Sequence, residues 1–552
     1  MAANDLAPVK SFSHDLVSVP QKASKDFESG SSSRPSTDET PRTADASGKE
    51  QKYLTGVKLF LVAGAVTLVC FLVLLDTAII VTAIPVITTK FHSLQDLASA
   101  CLQPLTGRIY TNFTSKWTFL VFFFIFEFGS LLCGIATSSK MLIVARAVAG
   151  IGSSGLMNGA LTIISASAPM HKVPALFGMM MGVCQLGVAF GPLIGGAFTE
   201  YTTWRWCFYI NLPIGGVVAL MLLFIEIPDQ IAKPSIKSSF DTITQKLDLI
   251  GFVLFAPAAI QLLLALEYGQ NEFGWKSATV IGLFCGSGCT FLFFLAWEHH
   301  QGDKAMIPLT MLRQRVMWSS CLVMITIFAM VLTASYYLPI YFQSIKNESP
   351  TMSGVYILPS VLSQLAFAVM SGLLIGKLGY YLPWAIFCGV ATAIGNGLLT
   401  TLSPNTSTGK WVGYQILIGA GRGAGFQIPL IAIQNTLSPS QISVGMAILM
   451  FTQTLSGAVF LTFADVIFSS GLKTLIPRDA PNADLVAIIA AGATGMRDVV
   501  SADDLPGVLK AYAGSVDRVF YMAAALSVVC VAFSFGMGWK DIRKKKPSGE
   551  KV

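Results

Sequence analysis

Long apolar runs alternate with short polar connections from residue 57 to residue 538. A hydrocarbon core of about 30 Å needs roughly 20 apolar residues per helical crossing, and most of the runs reach that length. The pattern therefore predicts a bundle of membrane-spanning helices. We place thirteen clear spans at residues 57–87, 117–137, 141–168, 173–198, 207–227, 247–266, 277–297, 316–342, 351–376, 382–402, 411–437, 442–470 and 518–538.

A fourteenth segment, DLASACLQPLTGRIY at residues 96–110, is short for a perpendicular crossing and contains Gln103, Pro104 and Arg108. If it crosses, most basic connections share one side with the basic residues 540–546, as the positive-inside rule requires. If it does not cross, every later helix inverts and that tail lies outside the cell. We favour fourteen crossings with both termini cytoplasmic, in the plasma membrane, with a vacuolar or vesicle membrane as the alternative.

The division into domains follows from the positions of the runs. Residues 1–56 are rich in Ser, Asp, Lys and Pro and predict a disordered cytoplasmic tail. Because the first apolar run starts late, we expect no cleavable signal peptide before it. The remaining domains are an N-terminal six-helix bundle at 57–227, two linker helices at 228–300, a C-terminal six-helix bundle at 301–538 that includes an extracellular loop at 471–517, and a basic cytoplasmic tail at 539–552.

Composition supports a membrane protein and argues against several functional classes. The 552 residues are 53% hydrophobic and 12% charged, whereas a soluble domain has roughly a quarter charged residues. The net charge of +7 gathers near predicted membrane edges, which argues against nucleic-acid binding. The ten cysteines and five histidines lack metal-ligand spacing, and no nucleotide-binding motif occurs. We therefore expect no enzyme, no metal and no cofactor, and a monomer whose partners include the lipid bilayer.

Two glycine-rich segments suggest an internal repeat. Aligning residues 145–169 with residues 414–439 superposes Gly150 on Gly419 and Gly152 on Gly421. Each segment is the fourth span of its six-helix bundle. Two parallel repeats are a known design of secondary transporters. Chance alignment of two glycine-rich membrane helices is the alternative, because small residues are common at membrane helix interfaces.

The run GMMMGVCQLGVAFGPLIGG, residues 178–196, contains six glycines and Pro192. At 100° per residue, one side of this helix carries Gly187, Gly191 and Gly195, and the opposite side carries Gly178, Gly182 and Gly196. Glycine stripes let membrane helices approach closely, so this helix is predicted to touch two neighbours, with Pro192 as a soft point. We interpret the helix as a moving part. Tight static packing is the alternative.

Five ionisable residues fall inside predicted spans: Asp76, Glu127, Arg146, Arg422 and Asp465. Each costs at least about 2.5 to 3.5 kcal/mol at the bilayer centre and therefore needs a partner or a task. Our hypothesis is that Arg146 forms a proton-sensitive pair with Asp76 first and Glu127 second. A permanent structural ion pair is the alternative. Asp465 is the less secure proton-coupling residue, and Arg422 is expected in the cavity wall of the second half.

A substrate cavity is expected at the midplane between the halves. Amide side chains offer hydrogen bonds there and aromatic side chains offer apolar walls, a mixture that suits small amphipathic organic molecules. Ordinary packing is the alternative for each residue. The chosen cavity residues are Gln185, Phe190, Tyr337, Arg422, Gln427, Gln434, Asn435 and Gln453. On the outer side, Asn405-Thr406-Ser407 forms a glycosylation sequon, with Asn405 as the acceptor.

Several motifs together resemble one family. The glycine run fits G-x8-G-x3-G-P-x2-G-G and resembles the fifth-helix antiporter motif of the major facilitator superfamily. LDTAIIVTAIP at residues 75–85, RAVAGIG at 146–152 and WRWCFYINLPIGG at 204–216 resemble motifs of its fourteen-span drug:proton antiporters. The nearest resemblance is to fungal toxin and multidrug efflux pumps. The resemblance implies an all-α integral membrane fold with two six-helix bundles plus two inserted helices.

The same resemblance implies a function. It is export of small amphipathic organic compounds, such as a toxin, secondary metabolite or drug, in exchange for protons by alternating access, with the proton gradient as the energy source. A proton-coupled importer or uniporter of a small solute is the alternative.

The chain also departs from the family. The loop after span two has Thr111 where an Asp is usual, and GLLIGKLGYY at residues 372–381 has no acid. Members of the family have further residues between the equivalents of Ala98 and Ser99, so the second span looks truncated. This truncation favours a further alternative, a non-transporting or defective member.

Overall fold

The computed structural model describes residues 53–83, 92–230, 233, 247–271 and 274–544. Residues 1–52 of the predicted N-terminal tail and residues 545–552 of the predicted basic tail lie outside the described residues, and so does the side chain of Pro192. Where the chain is described it is almost entirely helical, and the isolated β-bridge in this part joins Tyr380 to Asp541. The predicted all-α membrane fold is confirmed.

We number the membrane helices of the described chain in order. They are α1 (Gly56–Ala83), α2 (His92–Asn112), α3 (Ser115–Gly134), α4 (Ser139–Ser167), α5 (Val173–Tyr201), α6 (Asn211–Phe224), α7 (Leu249–Asn271), α8 (Ala278–Gln301), α9 (Arg315–Ile340), α10 (Pro350–Leu378), α11 (Leu382–Leu399), α12 (Thr408–Gly425, continued by Ile428–Thr436), α13 (Pro439–Asp479) and α14 (Leu505–Ser534). The short helix Trp206–Tyr209 precedes α6, and the helix Leu485–Val499 lies between α13 and α14.

The second helix is longer than its apolar run. Among the described residues, 13 helices are long and apolar enough to cross a membrane, and α2 is not one of them. It nevertheless has 21 residues, which at 1.5 Å per residue gives about 32 Å, close to the thickness of a hydrocarbon core. The span predicted from the sequence starts only at residue 96, because the first residues of the helix, His92 to Gln95, are mostly polar. The helix packs against α4 and α13 inside the bundle.

The helices pack as two groups joined by a hairpin. Helices α1 to α6 and helices α9 to α14 form the N-half and the C-half, and α7 packs against α8 between them. One side of α7 contacts the N-half, where the Cys101 thiol donates to the Ala256 carbonyl oxygen at 3.8 Å. The ring centroid of Phe255 on α7 lies 4.9 Å from that of Phe451 on α13. The inserted hairpin therefore contacts both halves.

The bundle has two distinguishable ends. The connections α2–α3, α4–α5, α10–α11 and α12–α13, together with the C-terminal segment, lie at one of them. We call it the basic end because Lys233, Lys377 and Arg543 lie there. The opposite end carries Asn405 and the helix Leu485–Val499, where hydrogen bonds from Lys346 and Arg497 fix the connections.

The two halves contact each other at the basic end. The first third of α5 packs on the last third of α10, where a Cβ atom added at Gly178 would collide with the Ala368 carbonyl oxygen. A Cβ atom at Gly372 would collide with the Pro174 carbonyl oxygen in the same contact. In a second contact, Gly107 of α2 lies against the backbone of α13 at Val444. Glycine thus permits both close approaches.

The polar segment predicted as a loop at 471–517 is largely helical. Helix α13 has 41 residues and so extends for about 62 Å, well beyond a hydrocarbon core. The helix Leu485–Val499 follows, with the Asp484 carboxylate accepting from the backbone N–H groups of Val486 and Ala487. Helix α14 begins at Leu505, so Asp517 belongs to a helix and not to a loop. Hydropathy missed these helices because it reports burial in lipid and not helix formation.

Candidate functional site

Helices α1 and α4 run in opposite directions and bring a carboxylate and a guanidinium to the same depth. Helix α1 starts at the basic end, where Leu54 N–H donates to the Ser167 carbonyl oxygen at the end of α4. Arg146 lies seven residues, or about 10 Å, after Ser139 at the start of α4, and its contact with Asp76 brings the Asp76 carboxylate to the same depth.

The two side chains form a buried ion pair. Arg146 Nη1 lies 2.7 Å from Asp76 Oδ2, and the side chains are 4% and 0% exposed. The Arg146 guanidinium carbon also lies 5.7 Å from the centre of the Phe208 ring, a distance at which a cation is attracted to an aromatic face. Breaking such a pair from one side is costly, because it leaves an uncompensated buried charge.

Asn211, which is not among the predicted site residues, also binds Asp76. Asn211 of α6 donates from Nδ2 to Asp76 Oδ1 at 3.1 Å and lies 3.3 Å from Ser130 Oγ on α3. The pair is therefore tied to four helices of the N-half. An asparagine inside the apolar stretch WRWCFYINLPIGG is the signal that could have identified it.

Glu127 does not join this ion pair. It lies three residues before Ser130 on α3, and both of its carboxyl oxygens are shielded from solvent and have no hydrogen-bond partner among the described residues. The carboxyl group packs against Gly215 of α6, where a Cβ atom would collide with Oε1. An ionised carboxylate without a donor is unfavourable here, so this environment suits the neutral acid.

The other two predicted interior charges lie in the C-half. Arg422 of α12 is 3% exposed, and its Nη2 donates to the Met330 carbonyl oxygen at 2.9 Å, while its Nε has no hydrogen-bond partner within the residues that the structure describes. Asp465 of α13 is half-buried. The structure therefore does not bring Arg422 and Asp465 to the Asp76 pair.

The glycine faces of α5 have different neighbours. Gly187 and Gly191 pack on α1, where added Cβ atoms would lie 2.9 Å from the Phe71 carbonyl oxygen and 2.5 Å from Ala78 Cβ. Gly195 is buried on the same side. Gly178 and Gly182 instead face α10 of the other half, whereas a Cβ atom at Gly196 would meet no atom within 4 Å. One face is thus fixed inside the N-half and the other lies between the halves.

The predicted cavity residues divide by burial. Tyr337 is 3% exposed, and its ring meets the Phe468 ring edge to face, with the two ring centroids 5.4 Å apart. Gln427 is fully buried, and its Nε2 donates to Ser371 Oγ at 2.9 Å and to the Ala368 carbonyl oxygen at 3.1 Å. Gln434 is also buried, while Gln185, Phe190, Asn435 and Gln453 are partly or largely exposed. Gln427 therefore joins α12 to α10 beside Gly178, and a substrate cavity stays a prediction.

Asp517 of α14 is a further interior acid. It is half-buried, and its Oδ1 is shielded from solvent without a hydrogen-bond partner in the described chain. Asp517 is not among the predicted interior charges, because the apolar pattern places residue 517 in a loop. Among the described residues, no group of three His, Cys, Asp or Glu side chains is arranged to hold a metal ion.

Comparison with known proteins supplies the family context. The model of the Major Facilitator Superfamily matches residues 66–461. The chain is 58% identical over 504 residues to the MFS-type transporter pigP of Monascus ruber, covering 90% of this chain and 88% of that protein. It is 52% identical over 530 residues to the efflux pump mlcE of Penicillium citrinum, covering 93% and 96%.

Solved structures agree on the fold. The proton:xylose symporter XylE gives a TM-score of 0.53 at 14% identity, covering 86% of this chain and 95% of that one. The human organic anion transporter MFSD10 gives a TM-score of 0.52 at 12% identity, covering 86% and 100%. At such identities the likeness establishes the architecture alone.

Proposed function

Because the chain belongs to the Major Facilitator Superfamily, we propose that it exports small amphipathic organic compounds, such as a toxin, secondary metabolite or drug, in exchange for protons. The observation that carries the proposal is the buried Asp76–Arg146 pair, a charged group that a proton can neutralise inside the membrane. The efflux-pump names of relatives such as mlcE support the outward direction. The proton gradient supplies the energy, and no cofactor takes part.

The pair couples protonation to conformation. A proton on Asp76 removes the charge that holds Arg146, which frees the guanidinium to take another partner. Asn211 keeps the carboxyl group in place in both states, because its amide hydrogen bonds to either form. Loss of the proton to the other side restores the pair. One charge that crosses 100 mV contributes about 2.3 kcal/mol to such a cycle.

Alternating access then uses the contact between the halves. The α5–α10 and α2–α13 contacts close the basic end in this state, and opening that end requires them to separate. The glycine face of α5 that carries Gly178 and Gly182 is the surface that separates, while the face that carries Gly187 and Gly191 stays on α1. The substrate occupies the space between the halves, where Gln185, Gln453 and Phe190 offer polar and aromatic contacts.

The orientation follows from charge. We assign the basic end to the cytoplasm, because cytoplasmic connections carry an excess of Lys and Arg. Both termini are then cytoplasmic, and the exposed Asn405 lies outside, where its sequon is accessible for glycosylation. We propose a monomer in the plasma membrane.

Transport in inverted plasma-membrane vesicles tests the proposal. An exporter loads the vesicle lumen with a fluorescent amphipathic dye when the lumen is acidic, and a protonophore abolishes that accumulation. We expect Asp76→Asn to lose gradient-driven accumulation, because an amide cannot bind and release the proton. Asp503→Asn, which changes an exposed acid at the opposite end, is the matched control and keeps the activity.

Each competing function gives a different result. Accumulation by Asp76→Asn at the wild-type rate contradicts the role of Asp76. Proton-driven loss of dye from the lumen indicates an importer, and equilibration without a gradient indicates a uniporter. No difference from vesicles that lack the protein indicates a non-transporting member.

A further inference from the structure

A charged segment beyond α6 fastens three helix ends of the N-half at the basic end. Lys233 Nζ donates to the Tyr110 carbonyl oxygen at 2.5 Å and to the Thr111 carbonyl oxygen at 3.0 Å. Asp229 Oδ1 accepts from Ser115 Oγ at 2.5 Å and from Ser115 N–H at 3.3 Å. Gln230 donates to the Ala166 carbonyl oxygen. We call Asp229, Gln230 and Lys233 the N-half strap.

A second charged segment occupies the corresponding place in the C-half. Beyond α14, Arg543 Nη1 donates to the Lys377 carbonyl oxygen at 3.0 Å, and Ile542 N–H donates to the Gly379 carbonyl oxygen at 2.9 Å. Asp541 accepts from the Arg543 side chain at 2.9 Å and 3.0 Å, which fixes the guanidinium. We call Asp541, Ile542 and Arg543 the C-half strap.

Gly379 is required for the second attachment. Its φ of 87° ends α10 in the left-handed conformation that favours glycine. A Cβ atom at this position would also collide with Asp541 Oδ1. The backbone of the α10–α11 loop is thus shaped to receive the C-half strap.

The two straps repeat one arrangement. In each half the segment beyond the sixth helix binds the loop between the second and third helices, and a cation donates to carbonyl oxygens at the end of the second helix. The last carbonyl groups of a helix lack partners and form its negative end, so a cation stabilises them. Neither loop has an acid of its own within residues 107–116 or 372–381. The straps supply Asp229 and Asp541 instead.

Both straps lie next to the contact between the halves. Gly107, which touches α13, is one turn before Tyr110, whose carbonyl oxygen Lys233 holds. The N-half strap also lines a small cavity together with Pro439 and Ser443 of α13. In the C-half, Gly376 touches the His171 carbonyl oxygen and directly precedes Lys377, whose carbonyl oxygen Arg543 holds.

Burial and pairing shift the pKa values of two strap side chains. Burial lowers the pKa of Lys233, and the negative charge of Asp229 partly offsets that shift. Hydrogen bonds from the Arg543 side chain are the main cause that lowers the pKa of Asp541 to about 2. Asp541 therefore stays ionised at cytoplasmic pH, and its pairing with Arg543 is lost only in strong acid.

We propose that the two straps are positioning elements of the gate at the basic end. They hold the α2–α3 and α10–α11 loops in the geometry in which the halves meet, so weakening them shifts the protein towards a state that is open at that end. Lys233 and Arg543 act through the helix ends and do not touch substrate. The inference deepens the proposed alternating access and rests on it.

The test measures opening of the contact directly. Leu365→Cys places a thiol where α10 packs on Gly182, away from both straps, and a charged maleimide reports access to it from the basic end in permeabilised membranes. We expect Lys233→Met and Arg543→Met each to raise the labelling rate of this thiol, and the double variant to raise it about tenfold, which corresponds to about 1.4 kcal/mol. Lys233→Arg and Arg543→Lys restore slow labelling.

Controls separate gating from folding. Arg313→Met removes an exposed cation near the start of α9 and leaves labelling unchanged. The melting temperature of each purified variant reports folding, and the strap variants raise labelling at temperatures where they remain folded. Unchanged labelling in folded Lys233→Met and Arg543→Met overturns the inference. Labelling needs neither substrate nor a proton gradient, so its outcome is independent of the vesicle transport result that tests the proposed function.

Discussion

At the scale of single residues, two acids of the N-half have opposite environments. Asp76 has a guanidinium at 2.7 Å and an amide at 3.1 Å, both of which stabilise its ionised form. The Glu127 carboxyl oxygens are shielded from solvent and have no donor in the described part of the chain, which favours the neutral form. Different environments for two nearby acids suit a pair in which one holds a proton while the other is charged.

We expect Glu127→Gln to retain the fold and to change the dependence of transport on pH. The amide has nearly the size of the neutral acid. The free energy of unfolding is therefore expected to fall by no more than it does for an ordinary substitution, about 1 kcal/mol, and the melting temperature reports this change. If Glu127 binds and releases a proton, the variant loses the change in transport rate that this titration causes in the wild type. Initial rates of gradient-driven transport between pH 5 and pH 8 measure this pH profile.

Glu226→Gln is the control for this variant, because Glu226 is exposed beyond the end of α6. A pH profile of Glu127→Gln that matches that of Glu226→Gln and of the wild type contradicts a protonation role for Glu127. A large loss of stability without a change in the profile identifies Glu127 as a packing residue.

At the scale of elements, α5 combines a fixed face with a face between the halves. Gly187 and Gly191 let it lie directly on α1, and Gly178 and Gly182 let it lie directly on α10. In membranes, close packing of small residues contributes much of helix association, because lipid offers no hydrophobic driving force between helices. The α5–α10 face can separate without any change inside the N-half.

We expect Gly178→Ala to weaken closure of the basic end. Its methyl group would overlap the Ala368 carbonyl oxygen and approach Gln427, and such overpacking costs roughly 1 to 3 kcal/mol. Transport is expected to fall by about tenfold, since about 1.4 kcal/mol is a tenfold change. The measurement is the initial rate of dye accumulation, normalised to folded protein.

Gly196→Ala provides a matched control on the same helix. An added methyl group there meets no atom within 4 Å, so activity and stability are expected to stay near those of the wild type. Equal effects of the Gly178 and Gly196 substitutions contradict the view that the α10-facing side of α5 is the one that matters.

At the scale of the whole molecule, the halves meet at the basic end through α5–α10 and α2–α13, and the inserted helix α7 contacts both halves beside the second contact. Transport requires these contacts to break and re-form. A covalent link across the contact therefore blocks the cycle, whereas a link within one half does not.

We expect a disulfide between Thr162→Cys and Ser443→Cys to stop transport reversibly. The two hydroxyl oxygens lie 3.5 Å apart, on α4 of the N-half and α13 of the C-half, within reach of a disulfide after small side-chain rotation. Oxidation abolishes dye accumulation, and a reductant restores it. Each single cysteine variant is the control, and transport that continues in the fully cross-linked protein contradicts a gate at this contact.

The sequence alone identified the class of fold and most of its elements. Apolar runs predicted thirteen clear helices because a hydrocarbon core requires long uninterrupted apolar segments, and the same number satisfies length and composition in the described chain. Charged residues inside apolar runs are costly in lipid, so the sequence also indicates Asp76, Arg146 and Glu127 as candidate proton-coupling residues. The glycine spacing predicted that α5 touches two helices, because helical periodicity fixes which residues share a side.

Tertiary structure alone decided which groups meet. Asn211 and Ser130 join the Asp76 pair from distant positions in the chain, and no periodicity of α6 or α3 signals that contact. The helical character of residues 471–517 was hidden because apolar runs identify spans of roughly 20 residues, and the helix Leu485–Val499 has only 15 residues. The sequence does not signal the straps either, because Lys233 reaches the carbonyl oxygens at the end of α2 only when the helices of the N-half are packed together. A sequence fixes local periodicity and burial preference, whereas partners far apart in the chain are selected by how complete helices pack.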